Sequence, residues 1–206
     1  PVAMQFCNPP LAELLAMRVV ITTCRAAGTL TSLGVPQGHF RHIVLDEAAQ
    51  LMEPEALIPL ALADERTRIF MAGDDKQIGP EVFSQQCMHH HLDKSVMARL
   101  GELPLYCRAH GWNSVEPPDA DLCAEMLANY RSHPELVSFP SSHFYSGRVQ
   151  PRARLANVSS AVKWRALPNP PVPLVFQALE GRNEREGDNP SFFNSMEAMA
   201  TLDWIA

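Results

Sequence analysis

The sequence predicts an α/β fold: mostly parallel sheet, with helices on both faces. Three observations carry that expectation. Residues 18–24, 42–46 and 68–72 are short, strongly apolar or β-branched runs of strand length. Helical stretches at 54–63 and 95–103 lie between or after them. Strands that read as continuously apolar rather than alternating belong to sheets buried on both sides.

Taken in order, residues 11–17 read as the end of a helix. Residues 18–24 follow as a strand, because Val19, Val20, Ile21, Thr22 and Thr23 are all β-branched. Gly28, Gly34, Pro36 and Gly38 make residues 27–39 loop-like. Strand 42–46 ends in Asp46, and strand 68–72 is closed by Gly73-Asp74. Residues 112–121 hold Pro117-Pro118 and three acids, and predict a linker. Beyond it, 122–128 reads as a strand, 134–145 as a helix and 173–179 as a strand. Residues 194–206 read as an amphipathic helix with Met196, Met199, Leu202 and Ile205 on one side. Two domains are expected, 1–118 and 119–206.

Composition bounds the function. With 206 residues, 46% hydrophobic and 19% charged, the chain can bury a core and is neither a disordered tail nor a coiled coil. Seventeen basic against 23 acidic residues leave a net charge of −6, so any nucleic-acid site must be local. The apolar stretch 56–63 is interrupted by Pro59, so no bilayer span is expected. The five cysteines are widely spaced without a C-x-x-C, which predicts free thiols in a reducing compartment. The start at Pro1, without Met, predicts a piece of a longer protein.

The chemistry gathers where strands end. In open α/β sheets, ligands bind beyond the carboxyl ends of the strands. One such end carries Asp46-Glu47-Ala48-Ala49-Gln50, another Gly73-Asp74-Asp75-Lys76-Gln77-Ile78-Gly79-Pro80. An Asp directly after a strand can hold Mg²⁺, usually through water. A neighbouring Glu can activate a water against a γ-phosphate, and a Gln on the next strand end can bond both water and phosphate. Cys87-Met88-His89-His90-His91 is the competing metal candidate. Adjacent histidines point in different directions, so a solvated helix or loop is expected there. No G-x-S-x-G elbow supports serine hydrolysis, and Cys24 reads as a core thiol.

These residues resemble the motifs of superfamily 1 helicases of the up-frameshift-like group. Asp46-Glu47-Ala48-Ala49-Gln50 resembles motif II (Walker B), and Gly73-Asp74-x-x-Gln77-x-Gly79-Pro80 resembles motif III. The stretch from Thr22-Thr23-Cys24 to Gly28 resembles the strand and turn before motif II. Asn129-Tyr130-Arg131-Ser132-His133-Pro134, with Phe139-Pro140-Ser141 and Phe144-Tyr145, resembles motif IV and its helix. The resemblance covers about residues 18–150, apart from 101–121. Gly38-His39-Phe40, Glu53-Pro54-Glu55, Trp164, Leu167-Pro168, Glu184-Arg185-Glu186-Gly187, Pro190-Ser191 and Phe193-Asn194 are most similar to the Moloney leukaemia virus ten/Armitage type of RNA helicase.

The resemblance implies two RecA-like domains of the P-loop NTPase type, both incomplete, and ATP and Mg²⁺ as cofactors. Asp46 would hold Mg²⁺, Glu47 would activate water, and Gln77 would sense the γ-phosphate, with Asp74 also at the nucleotide. Tyr130 would stack on adenine, and Arg131 would reach the γ-phosphate. A guanidinium stabilises charge on a transferring phosphoryl group in any such enzyme. Single-stranded RNA is the implied partner, with Thr22, Thr23, Arg25, Pro140, Ser141 and Ser191 as candidate contacts. The basic stretch Arg148, Arg152, Arg154, Lys163 and Arg165 is a further candidate, beside the alternative of a solvated loop. Small-RNA silencing proteins such as Argonaute, and a cytoplasmic or ribonucleoprotein-granule location, follow only from the resemblance.

One departure stands out. None of the three lysines, Lys76, Lys94 and Lys163, follows a glycine, so the phosphate-cradling G-x-x-x-x-G-K-[ST] loop is not in this sequence. Motifs V and VI are not found either, and motif III has Gln77-Ile78 where Gln-Leu is usual. The 206 residues alone are therefore expected not to hydrolyse ATP. Two alternatives remain open: a non-catalytic helicase-like scaffold, and a DNA-acting helicase of the same superfamily.

Overall fold

A computed structural model describes residues 8–103, 105–106, 122–165, 167–168 and 172–205. The chain divides into two compact units, Pro1–Glu125 and Met126–Ala206. The predicted linker at 112–121 and the predicted boundary near 118 lie outside the described residues.

The first unit runs α1 (Leu11–Ala16), α2 (Cys24–Ser32), β1 (His42–Leu45), α3 (Glu53–Leu60), β2 (Arg68–Met71), α4 (Gln85–His89) and α5 (Val96–Gly101). β1 and β2 pair in parallel, with His42 opposite Arg68 and Leu45 opposite Met71. The helix between them makes the parallel pairing possible, since parallel neighbours need a crossover. The helices start on recognisable signals. Thr23 accepts from Ala26 N at 3.2 Å to cap α2, and buried Ser95 accepts from Ala98 N at 3.1 Å to cap α5. The first turn of α3 holds Pro54 between Glu53 and Glu55, the residue types that suit a helix N-terminus.

Leu14, Leu30, Val35, Ile43, Leu45, Ala48, Ala56, Leu62 and Val96 form the core of this unit. Ile43 and Leu45 face it, whereas Val44 is 65% and Phe70 54% exposed on the other side. The sheet is thus covered on one face only by described residues, where two covered faces were expected.

Two further expectations are corrected. Residues 18–23 form no strand: they have no ladder partner among the described residues, and Ile21 is 94% exposed. The predicted loop at 27–39 begins instead as helix α2. Gly28 is there for packing rather than for a turn, since a Cβ on it would stand 3.3 Å from Ile58 Cγ2 on α3. The helix–helix contact outweighs the low helix propensity of glycine.

The second unit holds β3 (Ala128–Asn129), α6 (Pro134–Phe144), β4 (Gln150–Pro151), α7 (Leu155–Val158) and α8 (Ser195–Ile205). β3 and β4 pair in parallel, Ala128 with Gln150 and Asn129 with Pro151. The strand expected at 122–128 is therefore reduced to its last residue and the one after it. The strand expected at 173–179 is not formed, for want of a ladder partner among the described residues. α6 opens with Pro134 after His133, whose Nδ1 accepts from Glu135 N at 3.3 Å. Among the described residues of this unit, Val137 and Leu167 are buried and apolar. An antiparallel bridge between Glu184 and Phe193 closes the loop between them, and Asn194 Oδ1 accepts from Met196 N and Glu197 N to start α8. No helix among the described residues is long and apolar enough to cross a membrane.

Candidate active site

The carboxyl ends of β1 and β2 lie side by side because the strands are parallel and in register. Ala72 N donates to Leu45 O at 2.9 Å, and Ala48 N donates to Ala72 O at 2.8 Å. The ladder thus continues past the last paired residues and joins the turn after Asp46 to the start of the Gly73-Asp74 loop. Gly73 is required by that junction. A Cβ there would lie 2.8 Å from Ala49 N, 2.9 Å from Met97 Sδ and 3.1 Å from Ala48 N.

At the end of β1, Asp46 is exposed, and its Oδ1 accepts from Glu47 N at 3.1 Å. Glu47 sits in the left-handed region at φ 53°, ψ 37°. That conformation costs a non-glycine residue about 1–2 kcal/mol. It is held by the short 3₁₀ turn Ala48–Gln50, in which Gln50 N donates to Glu47 O at 2.9 Å. Gln50 Nε2 also donates to Glu47 Oε2, at 3.2 Å. Beyond β2, Asp74 Oδ2 accepts from Gln77 Nε2 at 2.7 Å, and Asp74 Oδ1 accepts from Lys76 N at 3.0 Å. Gln77 N donates to Asp74 O at 3.2 Å. The second loop is a compact turn that keeps Gln77 beside Asp74, and Lys76 pairs with Asp75 at 3.0 Å.

Neighbouring ionic links fix the helices around this corner. Arg99 donates to both Glu53 oxygens, at 2.7 and 2.6 Å, tying α5 to α3. The hydrogen bonds from Arg99 hold the Glu53 carboxyl below the usual carboxylate range and raise Arg99 in turn. Asp64 is likewise lowered, chiefly by hydrogen bonds from the Arg66 side chain and backbone. Burial, with Glu55 nearby, pushes the Cys24 thiol up, which suits the core thiol expected from sequence.

The donor set fits Mg²⁺ carried with a phosphate ligand rather than a metal caged by protein. Among the described residues no group of three His, Cys, Asp or Glu could hold an ion. Mg²⁺ in phosphoryl-transfer sites needs only one or two carboxylates, with phosphate oxygens and water completing its shell. Asp46 supplies one exposed carboxylate at the strand end. The His89–His91 region forms the end of α4 and the turn after it, all exposed, as a solvated segment would.

Of the other site residues expected from sequence, Thr22 and Thr23 lie just before α2, and Arg25 is exposed on it. In the second unit, Asn129 Oδ1 accepts from Arg131 N at 3.0 Å and Ser132 N at 2.9 Å. This turn presents Tyr130, 73% exposed, and exposed Arg131 directly after β3. Pro140 is exposed on α6. Ser141 is buried, and its hydroxyl donates to Val149 O at 2.7 Å, joining α6 to the segment before β4. Its hydroxyl is an internal tie. Ser191 is exposed in the loop closed by Glu184 and Phe193. The contact of Gln50 with Glu47 and the close approach at Gly73 were not foreseen from sequence. Both residues stand inside the two motifs, which was the available signal.

The parallel pair thus carries a paired acid after β1 and an Asp–Gln turn after β2. Comparison with known proteins gives the family. A family model described as an AAA domain matches residues 12–85, and a second, also described as an AAA domain, matches residues 114–206. The RNA helicase Mov10l1 of Homo sapiens is 38% identical over 187 residues, covering 90% of this chain and 15% of that protein. mov-10-B.2 of Danio rerio is 34% identical over 200 residues, covering 96% of this chain and 19% of that protein. The "Probable helicase with zinc finger domain" of Homo sapiens is 31% identical over 215 residues, covering all of this chain and 10% of that protein. The chain belongs to the superfamily 1 helicases of the Mov10 type, and its fold is RecA-like α/β. It spans less than a fifth of the length of these relatives.

Proposed function

We propose that this chain is the carboxylate half of an ATP-hydrolysing RNA helicase site, within a longer protein. The observation that supports this best is the junction of the two strand ends. One hydrogen bond, Ala48 N to Ala72 O at 2.8 Å, joins the turn bearing Asp46 and Glu47 to the loop bearing Asp74 and Gln77. In this reading Glu47 takes a proton from the attacking water. Gln77 leaves or shares its bond to Asp74 to sense the γ-phosphate. Asp46 would hold Mg²⁺, which would supply positive charge against the developing charge of the nucleotide phosphates. Tyr130 and Arg131 belong to a second RecA-like domain beginning near residue 119. Tyr130 stacks on adenine, and Arg131 stabilises the transferring phosphoryl group.

The 206 residues hold no phosphate-cradling G-x-x-x-x-G-K-[ST] loop, so on their own they are expected not to turn over ATP; if the full-length protein has such a loop, it lies outside them. The exposed apolar sheet face at Val44 and Phe70 suits a unit completed by further chain. Single-stranded RNA is the proposed substrate, met by Thr22, Thr23, Arg25, Pro140 and Ser191. Small-RNA silencing proteins such as Argonaute, in cytoplasm or ribonucleoprotein granules, are the proposed partner class by family resemblance. The test is ATP turnover by the full-length protein with single-stranded RNA, with DNA of the same sequence, and without nucleic acid. Stimulation by RNA above DNA supports the reading. Equal stimulation favours a DNA-acting helicase, and no turnover under any condition favours a non-catalytic scaffold.

A further inference from the structure

The geometry points to Gln50 as a positioning residue for Glu47. This rests on the proposed role of Glu47 as the base. Glu47 occupies a backbone conformation that non-glycine residues rarely adopt, at φ 53°, and its exposed carboxylate could otherwise take many rotamers. Three contacts hold the turn. Ala48 N donates to Ala72 O, Gly73 lets the next strand approach the Ala48 and Ala49 amides, and Gln50 N donates to Glu47 O. All three act on the backbone.

Among the described residues, the hydrogen bond to the reacting end comes from Gln50, through Nε2 to Glu47 Oε2 at 3.2 Å. It therefore grips Glu47 at both ends, carbonyl and carboxylate, from three residues away. Gln50 is exposed, whereas Ala48 and Ala49 beside it are buried. Core packing therefore gives no reason for an amide side chain here. A donor at this position holds the carboxylate oxygen in one direction while leaving the other oxygen for a water. A Glu in its place would keep the length and volume but present a second carboxylate instead of an N–H.

The experiment uses the full-length protein with radiolabelled Mg·ATP under single-turnover conditions and saturating RNA. Wild type is compared with Q50A, Q50E, E47Q and E47Q/Q50A, each with nucleotide affinity measured separately. Q50A is expected to slow hydrolysis roughly tenfold, the scale of one charge-assisted hydrogen bond, with affinity within about twofold of wild type. Q50E should be slower than Q50A. In the E47Q background, Q50A should change the residual rate by less than about twofold, because Gln50 has no base left to position. A wild-type rate for Q50A overturns the inference, as does an equal loss in the E47Q background. A wild-type rate for E47Q removes the base itself, which is a failure of the proposed function and distinct from a failure at Gln50.

Discussion

Replacing Gly73 with Ala tests the junction on which the site is built. The new Cβ would stand 2.8 Å from Ala49 N, 2.9 Å from Met97 Sδ and 3.1 Å from Ala48 N. Met97 can swing aside, but the two amides cannot do so freely, because Ala48 N is fixed to Ala72 O at 2.8 Å. Forcing a methyl group into such a contact costs about 1–3 kcal/mol. At about 2 kcal/mol, local opening of the junction becomes roughly thirtyfold more populated. Amide hydrogen exchange at Ala48 in the full-length protein reads that change directly, and ATP turnover should fall with it. Gly79→Ala is the packing control: its Cβ meets nothing closer than Asp93 O at 3.8 Å, so exchange at Ala48 should stay near wild type. Equal protection of the Ala48 amide in wild type and Gly73→Ala would refute the claim that the two strand ends are joined there.

Two other outcomes follow from the contacts described. Ser141→Ala removes the bond to Val149 O in a buried setting and should destabilise the second unit by about 1–2 kcal/mol, with RNA affinity unchanged; thermal melting and RNA titration check the two halves. Glu53 is lowered by Arg99, so its bond contributes stability above the unfolded carboxyl value, near 4.3, which is lost as pH falls through the folded value. NMR titration of the Glu53 carboxyl should therefore move upward in Arg99→Ala, and the tie between α3 and α5 should be insensitive to pH from 6 to 8.

The parts of the fold legible in the sequence were those marked by abrupt changes of chemistry. Strands β1 and β2 announced themselves as apolar runs stopped by Asp46 and by Gly73-Asp74, and α5 and α6 by Ser95 and Pro134. Helix α2 was hidden because Gly28 reads as a breaker until Ile58 is seen against it. The run 18–24 misled because β-branched residues state a preference for strands but cannot supply a partner. At the candidate site, the sequence offered residue identities but not their geometry. Nothing in the word Asp-Glu-Ala-Ala-Gln says that Glu47 is left-handed, or that Gln50 turns back to its carboxylate. Ser141 shows the converse: a motif position that suggested RNA contact has its hydroxyl occupied by Val149 O.

The most direct measurement of the central claim is ATP hydrolysis by the full-length protein carrying Glu47→Gln, with Mg·ATP affinity measured on the same sample. The account predicts that turnover is lost, by about a hundredfold or more, while affinity is kept. Hydrolysis at the wild-type rate would contradict it.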